Sequence, residues 1–306
     1  MCLILFAWQS HPDYPLVVAA NRDEFYARRT RPAAWWGQSV SILAGRDEEG
    51  GGTWLGVNRH GRVAILTNVR GSEADHLAPT PTRGRIPLAA LQSRQPADRW
   101  LREHARNSMG FNGYNLLVAD PLPIPAASRE AEVLYWSNRH PDGTSDTGPA
   151  RRGRDGIDPD VPTDAIRALL PGIYGMSNAA LDTPWPKLTR GIAGFACQVA
   201  SAVEPAALLR IMGDRRLARD AELPDTGVPL DWERALSAIQ VRANGYGTRA
   251  TTILTVRRDG TVSFFERTFD PGEPDVHTDR HFEFVADGSR SGAPAVDSNH
   301  QQDEAP

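Results

Sequence analysis

The sequence predicts an α+β fold built in layers. Strand-length apolar runs form antiparallel-looking hairpins near both ends of the chain, and the helical patterns are grouped between them. That arrangement favours a layered α+β fold over a doubly wound parallel sheet, and no internal repeat is evident.

Residues 3–8 and 16–20 read as two strands joined by the turn-rich Ser10-His11-Pro12-Asp13-Tyr14-Pro15. The second runs into Asn21-Arg22-Asp23-Glu24, a polar cluster directly beyond an apolar run. Residues 53–57 and 62–67 flank the turn Asn58-Arg59-His60-Gly61, and the latter strand ends at Thr67-Asn68-Val69-Arg70. Residues 86–106 carry one helical pattern, with Leu88, Leu91, Trp100, Leu101 and Ala105 on an interrupted apolar face. Strands follow at 114–119 and 132–136. Residues 140–163 are dominated by Pro, Gly, Asp and Arg and read as a mobile surface loop.

Ile173-Tyr174-Gly175-Met176-Ser177-Asn178 is strand-like with a polar end, and Asp182-Thr183-Pro184-Trp185-Pro186 starts a helix with early prolines. Further helices are expected at 205–212 and 231–239. Residues 250–257 and 261–267 close a hairpin around Arg258-Asp259-Gly260. From residue 288 the composition is that of a disordered tail, leaving residues 1–287 as one domain.

The chain has 306 residues and 33.5 kDa, enough to bury a substantial core. Its net charge of -4 and pI near 6.1 argue against a general nucleic-acid binder. Lys187 is the only lysine, a pattern that reads as codon bias and names no partner. Two cysteines, Cys2 and Cys197, make no disulfide framework and favour a reducing compartment. The opening apolar run is too short for a signal peptide, and no uncharged run approaches the ~20 residues of a membrane span. A cytoplasmic protein is expected.

No cofactor or metal is called for. Gly50-Gly51-Gly52 precedes a strand and not a helix, which makes a poor phosphate cradle. His277 and His281 lack a third ligand and read as surface residues. Cys197 reads as a core residue on a helix face. Trp35-Trp36 reads as core packing, with the lining of an apolar pocket as the alternative.

Cysteine at position two is an odd place for a core residue. Removal of Met1 would give Cys2 a free α-amino group beside its thiol. The thiol titrates near ~8.5 and the amine near ~7.7–8.0, so one residue holds nucleophile and base. The competing reading is an inert, buried cysteine. A working site needs a cation for the thiolate, an anion for the α-ammonium, and oxyanion donors. Polar strand ends offer all three: Arg22 or Arg249 as the cation, Asp23 or Glu24 as the anion, and the amides of Asn68 and Asn178 as donors.

The stretches Met1-Cys2-Leu3-Ile4, Ala20-Asn21-Arg22-Asp23-Glu24-Phe25, Gly51-Gly52-Thr53-Trp54-Leu55-Gly56, Leu66-Thr67-Asn68-Val69-Arg70, Gly175-Met176-Ser177-Asn178 and Leu181-Asp182-Thr183-Pro184-Trp185-Pro186-Lys187 resemble the NRDE, or transport and Golgi organisation, family. The resemblance spans roughly residues 1–269. It implies a four-layer αββα sandwich of the N-terminal-nucleophile hydrolase type, like the choloylglycine hydrolase and penicillin V acylase group. By that resemblance Cys2, Arg22, Asn68 and Asn178 match nucleophile, arginine and oxyanion positions, and Arg249 matches a second arginine. One departure is Phe25, which stands where those hydrolases carry the acid, so Asp23 is a substitute. On a strand Arg22 and Glu24 share a face while Asp23 points away. The implied activity is hydrolysis of a small amide or acyl-amide. The resemblance also implies an alternative, a non-catalytic carrier or chaperone for haem or an acyl lipid using the same pocket.

Overall fold

A computed structural model of the protein describes residues 2–36, 41–70, 81–108, 110–122, 130–139 and 166–287. The expected loop at 140–163 and the tail from 288 lie outside the described residues.

Two antiparallel sheets form the middle of the molecule. One contains β1 (Cys2–Trp8), β2 (Leu16–Phe25), β10 (Gly172–Met176), β12 (Tyr246–Val256), β13 (Thr261–Phe269) and β14 (His277–Val285), in the order β10-β1-β2-β12-β13-β14. The short β11 (Arg242–Ala243) is added on β12. The other runs β3-β4-β5-β6-β7-β8-β9 and follows the chain: Thr30–Trp36, Ile42–Asp47, Leu55–Asn58, Val63–Asn68, Tyr114–Asp120, Glu132–Ser137 and Arg167–Ala168.

The central strands β1, β5, β7 and β12 are buried on both faces at every position, while β3, β9 and β14 at the sheet margins are half-buried or exposed. Alternate residues separate the layers. Ile4, Phe6, Trp8, Leu16 and Val18 meet Leu55, Val57, Val63, Ile65 and Leu117 between the sheets. Leu3, Leu5, Ala7, Val17 and Ala19 face outward onto α3 (Pro186–Ser201) and α4 (Pro205–Met212). Ile42, Ala64, Leu66 and Leu116 face α1 (Arg85–Gln92) and α2 (Ala97–Arg106) on the far side. The result is the αββα sandwich that the resemblance implies. Among the described residues no helix is long and apolar enough to cross a membrane.

Three expectations are corrected. The helical pattern at 86–106 is two helices, because Pro96 lacks an N–H and pushes Gln95 away from the helical region. Strand β2 does not stop before the polar cluster; it continues to Phe25, paired with β12 throughout. Cys197 is exposed, because Leu188, Gly191, Phe195 and Val199 occupy the buried face of α3. His277 and His281 are surface residues as expected, but they lie on a strand, where a four-residue spacing is ~13 Å.

Candidate active site

Cys2 is the first residue of β1 and lies directly across from Arg22 of β2. Cross-strand partners share a face, so both side chains enter the space between the sheets. Arg22 is buried and held from the second sheet. Its Nη1 donates to Thr30 Oγ1 at 3.0 Å, its Nη2 donates to Asp47 Oδ2 at 3.2 Å, and the guanidinium stacks 4.4 Å from the Trp54 ring. Burial raises the Cys2 thiol above its ordinary range and the charge of Asp23 adds to that. The charge of Arg22 and the Asp23 main-chain N–H facing the sulfur act in the opposite direction.

Strand alternation separates the two candidate acids. Glu24 shares the face of Arg22, with an oxygen 3.9 Å from it and 3.7 Å from Arg28. Asp23 points the other way, toward α3, and is fully buried. Its Oδ1 accepts a 2.6 Å hydrogen bond from Thr248 Oγ1, and that hydroxyl is oriented by accepting from the Val241 N–H at 2.9 Å. Burial raises the Asp23 carboxyl, while the ammonium of Lys187 and the Thr248 hydrogen bond favour its charged form.

The two asparagines come from different sheets and meet. Asn178, just beyond β10, donates from Nδ2 to the Asn68 carbonyl at 2.9 Å, and the Arg70 N–H donates to the Asn178 carbonyl at 2.8 Å. Ser177 Oγ donates to the Cys2 carbonyl at 3.2 Å, which fixes this junction to the start of β1. The second Asn178 amide proton has no acceptor among the described residues. The Asn68 carboxamide, half-buried at the end of β6, makes no hydrogen bond among the described residues.

Arg249 stands apart. It is the extra residue at a β-bulge in β12, where the register with β2 shifts. Its Nη1 donates to the carbonyls of Phe25, Tyr26 and Arg28 at 3.0, 3.2 and 2.9 Å. It braces the turn after β2.

A profile of the family described as Transport and Golgi organisation 2 matches residues 1–271. The chain belongs to that family. The Transport and Golgi organization protein 2 homolog of Homo sapiens is 33% identical, over 93% of this chain and 99% of that protein. Transport and Golgi organization protein 2 of Drosophila melanogaster is 26% identical, over 90% and 94%. Among solved structures, a Caenorhabditis elegans N-acylethanolamine-hydrolyzing acid amidase ortholog is 10% identical with a TM-score of 0.46, covering 90% of this chain and 94% of that one. A mutant conjugated bile acid hydrolase from Clostridium perfringens is 9% identical with a TM-score of 0.44, covering 94% and 98%. At those values neither structure bears on chemistry here.

For this member of the transport and Golgi organisation 2 family, sequence reasoning missed Lys187, Thr248, Ser177 and Arg70. Lys187 is fully buried at the second position of α3 and acts electrostatically on Asp23 and Cys2. Arg70 pairs with Glu233 at 3.0 Å. The signal for Lys187 was its solitude in an arginine-rich chain. Two clefts, lined by Arg190, Gln198 and Arg210 and by His60, Arg62 and Arg94, do not include Cys2.

Proposed function

We propose that the chain is a cysteine amidohydrolase acting on a small amide or acyl-amide, with Cys2 as nucleophile after loss of Met1. The supporting observation is that Cys2, Arg22, Asp23, Asn68 and Asn178 share one end of the two-sheet sandwich, linked by strand register and by hydrogen bonds through Ser177.

The α-amine takes the thiol proton, and the sulfur attacks the carbonyl carbon. The Asn68 and Asn178 amides donate to the oxyanion. The C–N bond then breaks, the leaving amine takes the proton from the α-ammonium, and an acyl thioester remains. Water attacks that thioester, its proton passing to the α-amine, and the thiol is regenerated. Asp23 holds the α-ammonium. Arg22 offsets the charge on sulfur, and Arg249 contributes only through the turn it braces.

The test pairs an N-terminal mass measurement with a screen of amides on wild type and Cys2→Ser. The expected result is a mass lacking Met1 and turnover that the variant loses. Active protein that retains Met1 would end the reading. The carrier reading gains no observation of its own among the described residues. Haem binding unaffected by Cys2→Ala, without amide turnover, would favour it.

A further inference from the structure

Lys187 is the one lysine among 34 basic Lys and Arg residues, and it occupies the least hospitable place for a cation. Its side chain is 1% exposed, and Nζ makes no hydrogen bond among the described residues. Elsewhere in this chain cations are arginines, whose delocalised charge tolerates burial and pairs bidentately. An amine differs in being compact and able to lose its proton.

The fold places that amine deliberately. Asp182 adopts φ of 60° and its N–H donates to the Gly175 carbonyl at 2.8 Å, while its Oδ1 accepts from the Gly175 N–H at 2.7 Å. This double clasp pins the turn after β10. Pro184 and Pro186 then fix the entry to α3, so Lys187 emerges on its first turn facing β2. Four groups act on it: Asp23 from β2, Cys2 from β1, Arg70 beyond β6, and Glu233 from α5 (Leu230–Leu236). The charges of Asp23 and Arg22 act on the sulfur, and Arg83 and Tyr246 are electrostatically coupled to it.

The site contains a conflict that this amine resolves. Asp23 must be ionised to hold an α-ammonium, yet its negative charge opposes a thiolate on the same residue. Arg22 is already shared with Asp47 and Glu24 on the opposite face. We propose that Lys187 is a positioning residue for the nucleophile: from behind Asp23 it offsets that carboxylate's charge, so acid and sulfur can be ionised together. The inference rests on Cys2 being the nucleophile. Burial lowers Lys187 to about 8, so it changes charge in the range where a cysteine site works.

The experiment uses the full chain with the exposed second thiol removed by Cys197→Ser, and measures the rate of Cys2 alkylation by iodoacetamide against pH. Lys187→Met should move the midpoint up by about half to one unit and slow alkylation about three- to tenfold at neutral pH. Lys187→Arg keeps the charge and should hold the midpoint at or below the parent value. A Met variant with the parent's profile overturns the proposal, as does an Arg variant that behaves like Met. If the Met variant does not fold, the parent decides. Lysine-selective 13C labelling gives one signal, whose midpoint is expected near 8; a midpoint well below neutral pH, which leaves the amine uncharged where the site works, overturns the proposal. A chain that hydrolyses no amide leaves both readouts intact, so the two readings fail separately.

Discussion

Arg22 and Asp23 are sequence neighbours whose opposite charges act on one sulfur with opposite sign, and strand pleating sends them to opposite sides of a sheet. Asn178 ties the sheets together through Asn68, and under the proposed function its second amide proton serves the oxyanion. Asn178→Ala should therefore do two things. It should lower kcat about 100- to 1,000-fold, as loss of one oxyanion donor does. It should also lower stability by about 1 kcal/mol for the missing hydrogen bond. Steady-state kinetics beside urea unfolding separates them, and a loss of stability with kcat unchanged would remove Asn178 from the oxyanion site. At this scale the meeting of Cys2 with Arg22 and of Asn68 with Asn178 was legible, because each stands in a distinctive motif. The pointing of Asp23 followed from alternation alone. Lys187 was seen as a composition anomaly and not as a site, because nothing in one sequence says that residue 187 faces residue 23.

Among the elements, hairpins with strong turn signals were read closely, while β3, β4 and β14 were missed for want of such signals. Strand β2 was read five residues short. Polar residues end a strand only when their backbone has no partner, and here β12 pairs with every one up to Phe25. Cys197 was misplaced because an isolated cysteine in an apolar helix looks buried until the face is phased by Leu188 and Phe195. Gly52 shows how a motif glycine serves an element boundary. A Cβ there would lie 2.1 Å from the Gly84 carbonyl oxygen and 2.2 Å from its carbon, where Thr53 N–H donates to that same oxygen at 2.9 Å. This contact docks the start of α1 onto the strand entering the site. Gly52→Ala must displace backbone and should cost about 1–3 kcal/mol, read as a lower urea midpoint. A midpoint within error of wild type would show that α1 is not held there.

Over the whole molecule, four layers leave the central strands with no wet face, and charged groups trapped in the sandwich make stability depend on pH in an unusual direction. Glu266 of β13 lies between the sheets, accepting from the Ala33 N–H at 2.6 Å, and burial raises it to about 7. The folded state then binds more protons than the unfolded chain between about 4.5 and 7, so its contribution is intact below 4.5 and is lost as pH rises through 7. Lys187 has the opposite sign. Its folded value is about 8 against 10.5, so the unfolded chain binds more protons in that interval and stability rises with pH across it. Both groups weaken the fold most between about 7 and 8, each by on the order of 3 kcal/mol. Glu266→Gln keeps the shape and the acceptor for Ala33. It should raise Tm at pH 8 and leave it unchanged near pH 4.5, where the native carboxyl is already neutral. Lys187→Met should stabilise at pH 7 and progressively less toward pH 10.5. Thermal unfolding across that range checks both, and gains independent of pH would mean that neither group's pKa shifts on folding. A site that keeps such a lysine at neutral pH sacrifices stability where it operates, which is expected of a residue kept for chemistry and not for packing.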